Sequence, residues 1–284
     1  MPVSLTENTL QIGPLSWFYR AVTPTTPAAY PPVVLLHGLP SQSFTWCEVM
    51  EQLGEKGFSA IAPDWIGSGL SSKPEKREFA YTPAAYRQAL TDFLQALNLE
   101  KFSLVVQGFL ASVGIQYALA NPERIERLVI LNTPLTSTAK LPWAMKQWTI
   151  PFVGDMVTQD PLLIDRTLEG GSGFVISDEK LDVYRRPFLK TSASGRALMA
   201  TAQNLNLAQE LIAVEQGLQK TELPTALIWG SADPWLAEET VQNLAKSNPK
   251  LSFVALPEAK HYPQEHWPKE VSEALITFLR RQIV

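Results

Sequence analysis

The stretch Phe102-Ser103-Leu104-Val105-Val106-Gln107-Gly108-Phe109-Leu110-Ala111-Ser112 constrains this chain most. Five of its first six residues are apolar or small, so it reads as a short buried strand. It must then turn sharply, because an apolar helix follows. A glycine occupies the apex of that turn, and glycine takes unusual backbone angles without a Cβ penalty. Two other short apolar runs, Val33-Val34-Leu35-Leu36 and Leu128-Val129-Ile130-Leu131, have the same continuous character. Alternating apolar and polar residues would mark a sheet wetted on one face. Continuous runs mark strands covered on both faces, and helical patterns separate them, which predicts a parallel α/β sheet.

The remaining elements follow in order. Leu15 to Arg20 reads as one strand of an opening pair, and the Pro-rich segment from Thr23 to Pro32 as a connector. A helix is expected near Thr45 to Lys56, a strand from Phe58 to Asp64, and a loop from Trp65 to Pro74. Leu90, Phe93, Leu94 and Leu97 share a face of a helix from about Thr82 to Leu97. Asn121-Pro122 closes the helix that follows the sharp turn. From Pro134 to about Lys220 no strand is visible, and Trp143, Trp148, Phe152, Phe174 and Phe188 dominate. This predicts a helical lid over 134–220, inserted in a core formed by 1–133 and 221–284. The sheet resumes at Thr225 to Gly230 and Leu251 to Leu256, with helices at Glu238 to Ser247 and about Glu270 to Arg280.

A net charge of -4 argues against nucleic acid or an anionic membrane as the main partner. No apolar run approaches the ~20 residues of a membrane span. The single cysteine, Cys47, forbids an internal disulfide and fits a reducing compartment. With no leader pattern at the start, a cytoplasmic protein is expected. Three scattered histidines and one cysteine offer no metal constellation, and no cofactor is expected.

Five motifs in order, each closing a strand, resemble the α/β-hydrolase superfamily, in particular its haloalkane dehalogenase and epoxide hydrolase branch. They are His37-Gly38-Leu39-Pro40, the loop from Asp64 to Gly69, and Leu104-Val105-Val106-Gln107. The last two are Trp229-Gly230-Ser231-Ala232-Asp233-Pro234 and Lys260-His261-Tyr262-Pro263-Gln264-Glu265. The resemblance implies an α/β-hydrolase fold with a mostly parallel, doubly wound sheet and an inserted lid. It makes the turn at Gly108 the nucleophile elbow, Asp233 the acid and His261 the base, in the chain order that fold uses. It makes the backbone N–H groups of Leu39 and Phe109 the oxyanion hole.

The chain departs from the pattern at decisive positions. Gly108 has no side chain to attack a substrate. Phe109 and Leu39 stand where dehalogenases carry halide-holding donors, and Tyr184 is the only tyrosine from Pro134 to Lys220 where epoxide hydrolases use two. Haloalkane and epoxide chemistry therefore rank below a hydrolase-like reading in which Asp233 and His261 act as a general base on an apolar small molecule. The alternative is a non-catalytic binding or scaffold protein that has kept the pair as structure. Ser112, read as four residues into the helix that follows the apex and one turn from the oxyanion hole, is expected to be a packing residue. Asp64, Gly67 and Gly69 are expected to shape a loop, His266 to face solvent, and His37, Trp143, Trp148 and Tyr184 to contribute to a pocket.

Overall fold

A computed structural model describes residues 3–24, 28 and 30–281. Part of the proline-rich connector, residues 25–27 and 29, lies outside the described residues, as do residues 1–2 of the start. The chain opens with a hairpin of β1 (Ser4–Ile12) and β2 (Leu15–Thr23), followed by β3 (Val33–Leu36), α1 (Cys47–Glu55), β4 (Ala60–Pro63) and α2 (Pro83–Ala96). Next come β5 (Phe102–Gln107), α3 (Ser112–Ala120) and β6 (Ile125–Leu131). Six helices then run without a strand: α4 (Trp143–Lys146), α5 (Val153–Val157), α6 (Leu162–Ser172), α7 (Asp178–Lys190), α8 (Ala193–Asn204) and α9 (Leu207–Lys220). The chain ends with β7 (Thr225–Gly230), α10 (Glu238–Ser247), β8 (Leu251–Leu256), α11 (Pro263–His266) and α12 (Pro268–Leu279).

The strands form one eight-stranded sheet in the order β1-β2-β4-β3-β5-β6-β7-β8. β2 pairs antiparallel with β1 and β4, and every other pairing is parallel. Alternation of side chains across each strand sorts the core into two layers. Val34, Leu36, Leu104, Val106, Leu128 and Ile130 point into the layer that holds α2 and α3. Val33, Leu35, Val105, Val129 and Leu131 point into the opposite layer, with Val49 and Leu53 of α1 and Val271 and Leu275 of α12. β3, β5 and β7 are buried at every position, which is why their sequences carry no polar alternation. Each such Val or Leu contributes about 1.5–3 kcal/mol on burial.

The turn after β5 is wider than the sequence suggests. Gly108 has φ +81° and Leu110 φ +78°, so two left-handed residues interrupt the chain between strand and helix. α3 therefore starts at Ser112, and Ser112 is its first residue instead of lying inside it.

Candidate functional site

The carboxyl ends of β3, β5, β6 and β7 converge at the bend carrying Gly108, where ligands gather in open α/β sheets. His261 follows β8, and its Nδ1 lies 2.8 Å from Oδ2 of Asp233 in the loop after β7. Neither side chain is exposed to solvent. Each oxygen of this carboxylate has further donors. Asn132 Nδ2 also donates to Oδ2 at 2.8 Å, while the N–H groups of Trp235 and Leu236 donate to Oδ1 at 2.8 and 3.2 Å. A carboxylate accepting from Nδ1 holds the ring proton there and leaves Nε2 as an acceptor. That Nε2 is buried and has no hydrogen-bond partner among the described residues.

A Cβ built on Gly108 would stand 3.6 Å from this nitrogen and 3.0 Å from Cα of Gly38. Gly108 thus occupies the apex beside the imidazole, and no side chain fills the space between them. The ring itself is enclosed by Trp235, Tyr262 and Phe109, with ring centroids 4.6, 4.8 and 5.5 Å away.

The backbone of His261 is tied on both sides. Its N–H donates to the carbonyl of Gly171 in α6 at 3.1 Å, so the helical segment sits directly on the histidine loop. A side chain at Gly171 would meet Tyr262 at 2.5 Å and Trp235 at 2.6 Å, which explains the glycine. The His261 carbonyl accepts from Gln107 Nε2 at 2.7 Å. Gln264 donates to Gln107 Oε1 at 3.1 Å and to the Thr45 hydroxyl at 2.9 Å. Thr45 and Tyr184 in turn donate to the buried carboxylate of Glu265. Burial raises the pKa of Glu265, with Tyr184 and Lys180 opposing it.

The structure places several expected site residues elsewhere. The Leu39 N–H donates to the Phe109 carbonyl at 3.0 Å, so it is engaged inside the protein instead of waiting for an oxyanion. His37 is buried beneath the loop that Asp64 helps shape. Its Nδ1 lies 2.9 Å from the Gly38 carbonyl and its Nε2 accepts from the Trp65 N–H at 3.2 Å. Burial lowers its pKa, against the pull of Asp64. Asp64 accepts from the N–H groups of Ser43 and Leu70, both at 2.7 Å. Trp148 is wholly buried in the main core, and Tyr184 is held by Glu265. Only Trp143 of the four expected pocket residues lines the largest cavity described, about 660 Å³ between residues 133–144 and 234–241. His266 stacks on Phe174 at 4.9 Å and does not face solvent freely. The sequence reading missed Asn132, Gln107 and Trp235, whose roles depend on partners far along the chain. The one visible signal for the first is that Asn132 directly ends a buried strand.

The family profile described as alpha/beta hydrolase fold matches residues 31–266. This chain belongs to the α/β-hydrolase family. Haloalkane dehalogenase 2 of Mycobacterium tuberculosis is 26% identical over 254 residues, covering 87% of each chain. A cis-3-alkyl-4-alkyloxetan-2-one decarboxylase of Shewanella oneidensis is 42% identical over 163 residues, which covers 56% of this chain and 48% of that enzyme. Among solved structures, a haloalkane dehalogenase from Bradyrhizobium elkani has the same α/β-hydrolase fold, with a TM-score of 0.86 at 22% identity over 97% of this chain and 98% of the other. Among the described residues no helix is long and apolar enough to cross a membrane.

Proposed function

We propose that this α/β-hydrolase acts on a small, uncharged, alkyl-bearing molecule by general-base catalysis at His261, without a covalent intermediate. One observation carries the reading: Nε2 of His261 is buried, has no partner, and adjoins the apex that Gly108 leaves open. In the reading, Asp233 keeps the ring proton on Nδ1, and Nε2 takes a proton from water as the water oxygen bonds to the substrate carbon. The leaving group departs with its bonding electrons, and the proton ends on the imidazole. Residues 134–220 act as the lid that keeps bulk water out, through the α6 contact with His261.

The substrate class draws on the relatives' names, which pair a haloalkane with an alkyl-substituted oxetanone, both uncharged and alkyl-bearing. Haloalkanes therefore become the first substrates to test, a higher rank than the sequence alone assigns them. Halide release and alcohol formation are measured over a panel of haloalkanes, esters and epoxides. Turnover lost in folded His261→Ala supports the reading, and turnover retained there overturns it.

A second reading, binding without catalysis, is favoured by the three rings that leave the imidazole no solvent exposure. It expects no turnover on any panel member and ligand affinity indifferent to His261→Ala.

A further inference from the structure

The imidazole of His261 has no exposure to solvent, and His261 lines none of the cavities described. Something around the ring must therefore move before a molecule reaches Nε2. The three enclosing rings differ in what holds them. Phe109 is wholly buried in the main core. Tyr262 is buried too, and its hydroxyl donates to the Leu39 carbonyl at 2.9 Å. Moving Phe109 opens the core, and moving Tyr262 strands a buried carbonyl at about 1–3 kcal/mol. Trp235 is only partly buried, and its side chain makes no hydrogen bond among the described residues. Its backbone is fixed, because its N–H donates to Asp233 Oδ1 at 2.8 Å. The indole alone is free to turn.

The direction of that turn is limited. One edge of the indole lies against α6, where a Cβ on Gly171 would come within 2.6 Å of it. Away from α6, Trp235 lines the cavity of about 660 Å³ between the chain after β6 and the loop after Asp233. A space of that size takes a small organic molecule. Its lining includes Leu135, Leu141 and Leu236 and holds no carboxylate. We infer that Trp235 is the gate between this cavity and the general base, its indole turning aside to admit a small uncharged molecule to Nε2 of His261. The gate rests on the general-base reading for its destination, but its opening is measurable without turnover.

Diethyl pyrocarbonate, a small uncharged electrophile that acylates imidazole, is the probe, and mass spectrometry reads the rates at His261 and His37 separately. In the parent protein the rate at His261 is scaled by the fraction of time the gate stands open. With a minor open conformer at ~0.1–10%, Trp235→Ala should raise that rate about 10- to 10³-fold. Trp235→Phe keeps a ring, is the milder change for folding, and should raise it less. Ala139→Trp fills the opposite wall of the cavity and, added to Trp235→Ala, should bring the rate back towards the parent value. His37 is fully buried with both ring nitrogens engaged, so its continued protection shows that each variant stays folded. An unchanged rate at His261 in folded Trp235→Ala or Trp235→Phe overturns the gate. A raised rate that Ala139→Trp leaves untouched overturns the cavity as the route. Turnover in His261→Ala decides the general-base reading separately.

Discussion

Gly108 and His261 face each other across a gap that a single side chain would close: a Cβ at position 108 would lie 3.6 Å from Nε2. Gly108→Asp or Gly108→Ser places a carboxylate or hydroxyl in that gap. Either side chain must accept φ +81°, at a cost of about 1–3 kcal/mol in stability. Nucleophile removal costs about 10⁶ in subtilisin, but the engaged Leu39 N–H leaves this apex short of an oxyanion donor. The expected gain in ester or haloalkane hydrolysis is therefore about 10³–10⁴-fold, the value left once the 10²–10³ that one such donor supplies is lost. Product formation by gas chromatography and a urea melt of each variant check both halves.

Asn132 joins the Asp233 loop to the sheet. Besides Asp233 it bonds the Gly230 carbonyl at 3.1 Å and accepts from the Gly230 N–H at 2.8 Å. Asn132→Ala strands these groups and should cost about 1–3 kcal/mol in equilibrium unfolding. A loss within a few tenths of a kcal/mol of zero would mean that water replaces the amide without penalty.

The contact of Gly171 with Trp235 and Tyr262 predicts that Gly171→Ala pushes α6 away from the histidine loop. Overpacking of this kind costs about 1–3 kcal/mol. Because the His261 N–H donates to the Gly171 carbonyl, its hydrogen exchange should accelerate in this variant, while amides of β5 keep their protection.

Acid stability should depend on His266. Burial, helped by Lys180, lowers its pKa from 6.5 to about 4. The folded state therefore binds fewer protons than the unfolded state between those values. The contribution is present above pH 6.5 and is lost as the pH falls towards 4. His266→Phe keeps a ring on Phe174 and removes this loss, so its advantage in urea midpoint should grow as the pH drops through that window. Glu265 has a raised pKa and works in the opposite sense, losing stability as the pH rises above 4.5. It is common to both proteins, as is His37, and cancels in the difference.

The buried strands and the parallel sheet were legible in the sequence because burial on both faces leaves continuous apolar runs at 33–36, 102–107 and 128–131. The bare apex at Gly108 was equally legible, since the absence of a side chain is a covalent fact. The structure departs from the expectations for Leu39, Trp148 and His266. A motif states which residue follows a strand, whereas the partner its N–H or ring meets is set by another element.

The amino-acid order by itself determined the fold class, the glycine at the bend, and the succession of Asp233 and His261 after the last two strands. Only the tertiary structure decided that Asn132 grips Asp233 across 101 residues and Gln107 grips the His261 backbone across 154. It also decided that Trp235 divides the imidazole from the cavity. The physical reason is range. Burial and backbone preference act residue by residue and leave periodic marks, while hydrogen bonds between distant loops exist only after the sheet has brought their ends together.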